Sequence, residues 1–356
     1  MNAPPPAGPG RVRVVIATPL EKELVERIAA TDPRVEVLHE PSLLPPARYP
    51  CDHKGDPGFR RDEAGERRWR ELLAQAEVLF GIPGDTPEGL AAAVRDLPGL
   101  RWVQTTSAGA GEQVRAAGLA AADLERVAVT AATGVHAGPL AEFCLFGLLA
   151  FAKGWRRLAR DQAQGRWDHY VVAELRGRTA LVVGLGHIGA EVARLARCFG
   201  MRTVGVKRHP GPGDDRVDEL HPTSRLHDLV GEADAVIVTL PLTRETQGLV
   251  DRDAIGRMRG SAVLVNVGRG GVVDEAALVE ALEAGRIGGA VLDVTAAEPP
   301  PADSPLWRLD NVLLSPHTMA LVERENERIV DQFQADLRRF LAGEPLRHRV
   351  DPELLY

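Results

Sequence analysis

From Ala180 to Lys207 the sequence reads as a strand, a glycine turn, a helix and a second strand. Ala180-Leu181-Val182-Val183 is apolar and β-prone, Gly184-Leu185-Gly186-His187-Ile188-Gly189 supplies the turn, and Ile188, Val192, Leu195, Ala196 and Phe199 recur at helical spacing. Thr203 to Val206 is the next apolar run. The glycines keep the G-x-G-x-x-G spacing that cradles a dinucleotide pyrophosphate. Gly184 permits the turn, Gly186 lets backbone N–H groups approach a phosphate, Gly189 lets the helix pack closely, and the helix N-terminus favours the anion. A chain with 36 glycines produces such triplets by chance, so the strands and helix around this one carry the inference.

The alternation runs in both directions. Residues 12–17, 35–38, 78–81, 102–106 and 127–131 read as strands, with helices near 21–30, 89–95 and 112–117 between them. They make a small doubly wound, flavodoxin-like domain. Residues 41–69 break the rhythm with Pro45-Pro46, a Gly-Asp-Pro-Gly turn and dense charge over 60–70, and read as a loop insertion that is either a surface excursion or functional. The loop Thr105 to Gly111 follows the fourth strand, where open α/β sheets bind ligands, and it equally suits a plain glycine turn.

Thr133-Gly134 is the expected hinge into a second domain. Residues 140–158 then read as one long apolar helix that needs cover from its own domain or, as the favoured reading, from a second subunit. Strands at 235–240, 262–267, 290–294 and 312–314 bring the dinucleotide domain to six, and an amphipathic helix at 324–341 is expected to pack back on the first domain. The fold class is therefore α/β, a Rossmann-type dinucleotide-binding domain over 134–319 plus a smaller substrate domain over 11–133 and 320–356, with a cleft between them. Residues 1–10, rich in Pro and Gly, are expected to be a disordered leader.

At 356 residues and 44% hydrophobic content, the chain can bury two cores. A net charge of −7, with basic residues scattered among acids, argues against nucleic acid as a partner. Cys51, Cys144 and Cys198 form no C-x-x-C pair, so neither a disulfide framework nor a metal site is expected, and a reducing, cytoplasmic location fits. The first ten residues lack signal-peptide character, and the longest apolar run, 143–152, is too short to span a bilayer.

Polar residues stand just past three later strands of the second domain: Arg269 after 262–267, Glu298 after 290–294 and His317 after 312–314. A guanidinium can grip a carboxylate through two parallel hydrogen bonds, a histidine can exchange a proton near neutral pH, and a nearby carboxylate fixes the imidazole's orientation. Beside a nicotinamide, those roles assemble reduction of a 2-keto acid. Taken singly, each residue also suits a plain role: solvated loop arginine, turn glutamate, capping histidine.

These stretches resemble the signatures of the D-isomer-specific 2-hydroxyacid dehydrogenases. Val265 to Leu278, with Gly268-Arg269-Gly270-Gly271, Leu292-Asp293-Val294 leading to Glu298-Pro299, and Ser315-Pro316-His317 are similar to the family's motifs. Ser107-Ala108-Gly109 resembles its substrate loop, and Leu240-Pro241-Leu242-Thr243 with Thr246 its second cofactor loop. The resemblance implies Arg269 as substrate anchor, Glu298 as partner of His317, His317 as general acid/base, and a homodimer built on cofactor domains. It also implies cofactor contacts from His187, Ile188, Leu240, Pro241, Val267, Asp293 and His317, besides Gly184, Gly186 and Gly189.

Three positions depart from the family pattern. NAD-using members carry an acid at the end of the second strand, about 20 residues past the first glycine. Here Lys207-Arg208-His209 stands there, which would attract a 2′-phosphate, so NADP is expected over NAD. Asp214 and Asp215, beyond Pro210-Gly211-Pro212-Gly213, are expected to lie too far off to substitute. Thr295 and Met319-Ala320 also differ from the usual residues and would reshape a pocket. Two other readings compete with a keto-acid reductase: a dinucleotide-responsive binding protein, and a dehydrogenase of another small anion such as formate or phosphite.

Overall fold

The computed structural model describes residues 10–211 and 214–351. The chain forms two compact units, Met1–His136 with Leu321–Tyr356, and Ala137–Ala320. Apart from Gly10, the expected leader lies outside the described residues.

The first unit opens with β1 (Val12–Ile16), α1 (Lys22–Ala29) and β2 (Val35–Leu38), and continues through α2 (Glu63–Leu73), β3 (Val78–Phe80), α3 (Pro87–Asp96), β4 (Trp102–Gln104), α4 (Ala110–Ala116), α5 (Ala121–Arg126) and β5 (Ala128–Thr130). Its strands pair in parallel in the order β2-β1-β3-β4-β5. Because side chains alternate along a strand, Val14, Val78 and Trp102 enter one core while Val15, Leu79 and Val103 enter the other. The charged stretch over 60–70, expected as loop, is largely helix. The Asp62 carboxylate caps α2 by accepting from Gly65 N at 2.7 Å, and Trp69 and Leu72, one turn apart, bury its inner face.

The second unit runs through α6 (Ala137–Lys153), α7 (Trp155–Ala163), β6 (Thr179–Val183), α8 (His187–Cys198), β7 (Arg202–Lys207), β8 (Glu219–Pro222), α9 (Leu226–Leu229), β9 (Ala235–Val238), α10 (Arg252–Arg257), β10 (Val263–Asn266), α11 (Glu275–Glu283), β11 (Gly289–Leu292) and β12 (Val312–Leu314). All strands pair in parallel, in the order β12-β11-β10-β9-β6-β7-β8. Among the described residues that is seven strands rather than six. The extra one, β8, is a half-exposed edge strand ending in proline, and it lacks the apolar run by which its neighbours are legible.

The apolar helix expected over 140–158 is broken. Gly154 adopts a left-handed φ of 66°, which ends α6, and α7 leaves at 60°. One face of α6 is covered by its own unit: Leu140, Phe143, Cys144 and Leu148 pack on the sheet, so closely that a Cβ on Gly147 would lie 2.6 Å from Val291, while Phe146 on the other face stays exposed. Among the described residues no single helix is long and apolar enough to cross a membrane.

The chain ends in α12 (Glu325–Ala342), which belongs to the first unit. Ile329, Phe333, Leu337 and Phe340 form its buried stripe, and Phe333 stacks on Trp102 at 4.8 Å between centroids. At its first turn the Glu325 carboxylate meets buried His136 Nε2 at 2.9 Å.

Candidate active site

Strand order in the second unit reverses between β6 and β9, the switch point where such sheets bind ligands at the strands' C-terminal ends. The glycine turn follows β6. Gly184 has φ 103°, and a Cβ on Gly189 would lie 1.9 Å from Gly184 O, so both positions require glycine. Gly186 differs: a Cβ there would meet nothing within 4 Å. The turn therefore leaves open space in front of α8, whose N-terminus carries no side-chain cap. A phosphate fits there, against backbone N–H groups and the positive end of the helix. His187 is exposed at this end, and Ile188 packs inward.

The second cofactor loop touches the first. Thr239 Oγ1 donates to Gly184 O at 2.7 Å, and Leu240 lies where a Cβ on Gly184 would fall. Thr246 holds this loop together: its hydroxyl donates to Pro241 O at 2.6 Å and accepts from Thr243 N at 2.7 Å. Val267 is buried at the end of β10, its N–H on Val238 O.

At the end of β7, Asp214 lies nearer to Lys207 than its distance along the sequence suggests. Asp214 Oδ2 sits 3.5 Å from Lys207 Nζ. Arg216 holds the carboxylate there with Nε at 2.7 Å and Nη2 at 2.5 Å, and places Nη1 on Leu185 O at 3.0 Å. The Arg216 hydrogen bonds hold the Asp214 carboxyl far below the usual carboxylate range. Arg208 lies 3.6 Å from Glu245 Oε2. Distance along the sequence hid this arrangement.

The catalytic candidates stand on the loops after β10, β11 and β12, three adjacent strands. Asn266 shapes the first loop by donating from Nδ2 to Arg269 O at 3.1 Å and accepting Gly268 N on Oδ1 at 3.1 Å. Arg269 is half-buried. A Cβ on Gly270 would lie 2.0 Å from the Thr295 carbonyl, so the first loop packs directly on the second. In the second loop Thr295 N donates to Glu298 Oε1 at 3.3 Å, and Glu275 Oε2 accepts from Ala296 N at 2.7 Å. Glu298 Oε2 then meets His317 Nδ1 at 2.7 Å, with both side chains part-exposed. Buried Asp293 anchors the third loop, its Oδ1 accepting from Ser315 Oγ at 2.7 Å and from Thr318 N at 3.1 Å. Asn266 and Glu275 were not singled out in the sequence. The only signal was a polar residue closing an apolar strand and an acid at the start of a helix.

In the first unit, Ser107, Ala108 and Gly109 follow β4. Ser107 Oγ accepts from Gly109 N at 2.9 Å, and Thr105 Oγ1 donates to Ser107 O at 3.0 Å, which fixes a tight turn.

Fold and site together define a dinucleotide-binding α/β unit with a hydrogen-bonded histidine and glutamate on its rim. The family model described as D-isomer specific 2-hydroxyacid dehydrogenase, NAD binding domain, matches residues 145–319. Glyoxylate/hydroxypyruvate reductase B of Pectobacterium carotovorum is 33% identical over 80% of this chain and 88% of its own. A D-3-phosphoglycerate dehydrogenase of Archaeoglobus fulgidus is 34% identical over 65% of this chain, and the match spans 44% of that protein's length. Among solved structures, a D-isomer specific 2-hydroxyacid dehydrogenase from Xanthobacter autotrophicus Py2, in complex with NADPH and MES, is similar with a TM-score of 0.75 and 30% identity, covering 98% of this chain and 100% of that one. The chain belongs to the D-isomer specific 2-hydroxyacid dehydrogenase family, whose members are nicotinamide-dependent oxidoreductases.

Proposed function

We propose that this chain reduces small 2-keto acids, such as glyoxylate or hydroxypyruvate, to D-2-hydroxy acids, with NADPH favoured over NADH. The observation that carries the reading is the 2.7 Å hydrogen bond from His317 Nδ1 to Glu298, on a loop against which the Arg269 turn is packed. When bound, the reduced nicotinamide supplies a hydride for the carbonyl carbon. Arg269 holds the substrate carboxylate with its planar fork, which orients the carbonyl. His317, with Nδ1 engaged by Glu298, has Nε2 to give a proton to the carbonyl oxygen, and the product gains one hydride and one proton. In the reverse direction the same nitrogen takes the hydroxyl proton. Glu298 orients the ring and so fixes which nitrogen faces the substrate.

Lys207 and Arg208 at the end of β7 support the preference for a 2′-phosphate, as does the NADPH held by the Xanthobacter relative. The free thiols Cys51, Cys144 and Cys198 suit a reducing compartment, and we place the reaction in the cytoplasm. The test is a panel of 2-keto acids assayed with each reduced nicotinamide, beside carbonyl compounds in which a methyl group replaces the carboxylate. Keto acids should be reduced, with higher kcat/KM for NADPH. The methyl compounds should fall at least about 100-fold behind, since they offer the Arg269 guanidinium no carboxylate to grip. Equal turnover of both series contradicts the assignment of Arg269.

A further inference from the structure

At the end of β7, where the adenosine ribose of a dinucleotide lies in folds of this type, the chain has built an anion site and filled it with its own carboxylate. Lys207 Nζ and the Arg216 fork converge on Asp214, with the distances given above. Asp214 is the most enclosed of the three, its side chain 10% exposed against 31% for Lys207 and 39% for Arg216. The residues that follow it are tied down independently, since Arg197 on α8 donates to Asp215 O at 3.1 Å and to Arg216 O at 3.0 Å.

A carboxylate in this place accepts a hydrogen bond from a ribose 2′-hydroxyl and repels a 2′-phosphate. The two cations holding it do the opposite. We propose that Asp214 is the specificity-determining residue for the cofactor, occupying the Lys207–Arg216 anion site in competition with a 2′-phosphate and thereby limiting the preference for NADPH. The inference rests on the reading of the second unit as a site for both nicotinamide dinucleotides. It goes beyond that reading by assigning the opposing charge to one residue, 30 positions past Gly184, that an inspection of the strand end alone overlooks.

The experiment measures dissociation constants for NADPH and NADH by tryptophan fluorescence quenching, without substrate, in the full chain and two variants. Asp214→Asn should raise the affinity ratio of NADPH to NADH by about five-fold, the upper end for a partly exposed charge pair. Lys207→Gln, which leaves the Asp214–Arg216 pair in place, should lower it by about as much. The proposal is overturned if Asp214→Asn weakens both dinucleotides equally, as loss of a loop brace would, if the ratio does not move, or if NADPH alone is weakened. Binding of neither dinucleotide by the unaltered chain overturns the cofactor reading as well. Failure to reduce keto acids, with the ratios shifting as stated, overturns the substrate reading alone.

Discussion

A buried carboxylate with every oxygen engaged fixes backbone as firmly as a short strand does, and Asp52 is such a group. It accepts from Arg48 N at 3.1 Å, Arg48 Nε at 2.6 Å, Arg48 Nη2 at 2.9 Å and Gly55 N at 3.1 Å. These bonds close the turn between Pro46 and Asp56, in the stretch that reads in the sequence as loop, and give it a defined course. The Arg48 guanidinium holds the Asp52 carboxyl down to about 2, from 3.8. A lowered value contributes stability above the unfolded pKa and loses it as pH falls toward the folded one. Asp52→Asn should therefore cost about 2 kcal/mol at neutral pH. The gap to the unaltered chain should shrink between about pH 5 and pH 2. Urea unfolding at pH 7 and pH 3 checks this, and a gap of constant size contradicts the ion-pair account.

The helical elements show where hydrophobic periodicity informs and where it stops. It located α6 and α12, because a buried stripe leaves its mark at every third or fourth residue. It missed the break at Gly154, since one glycine costs a helix only about 1 kcal/mol and its left-handed φ is decided by packing. It missed β8 for want of an apolar run, and read α2 as loop because its charges outnumber Trp69 and Leu72. The exposed apolar surface of the second unit includes Phe146 on the outer face of α6, Trp155 and Leu158 on α7, and Trp167 and Val171 beyond it, each about half exposed or more. We propose that a second copy of the chain covers it. Light scattering should give twice the chain mass, and Trp155→Glu should shift it toward monomer. A monomeric unaltered chain contradicts the proposal.

At the scale of the whole molecule, two parallel sheets were legible because their inner strands are buried on both faces and read as short apolar runs, whereas the half-exposed edge strand β8 does not. The common placement of Arg269, Glu298 and His317 was legible for a related reason: each follows such a run, and parallel neighbours bring their ends to one edge. What was not legible is how the loops are held. Asn266, Glu275 and Asp293 brace them through backbone hydrogen bonds that no spacing rule announces, and Asp214 meets Lys207 from seven residues away. The central claim is that His317, oriented by Glu298, passes the proton in keto-acid reduction. Its most direct test is the rate of 2-keto acid reduction by His317→Ala under saturating NADPH, with NADPH binding measured alongside. The account predicts a fall in kcat of about 100-fold to 10,000-fold with NADPH binding largely unchanged. A variant as active as the unaltered chain would contradict it.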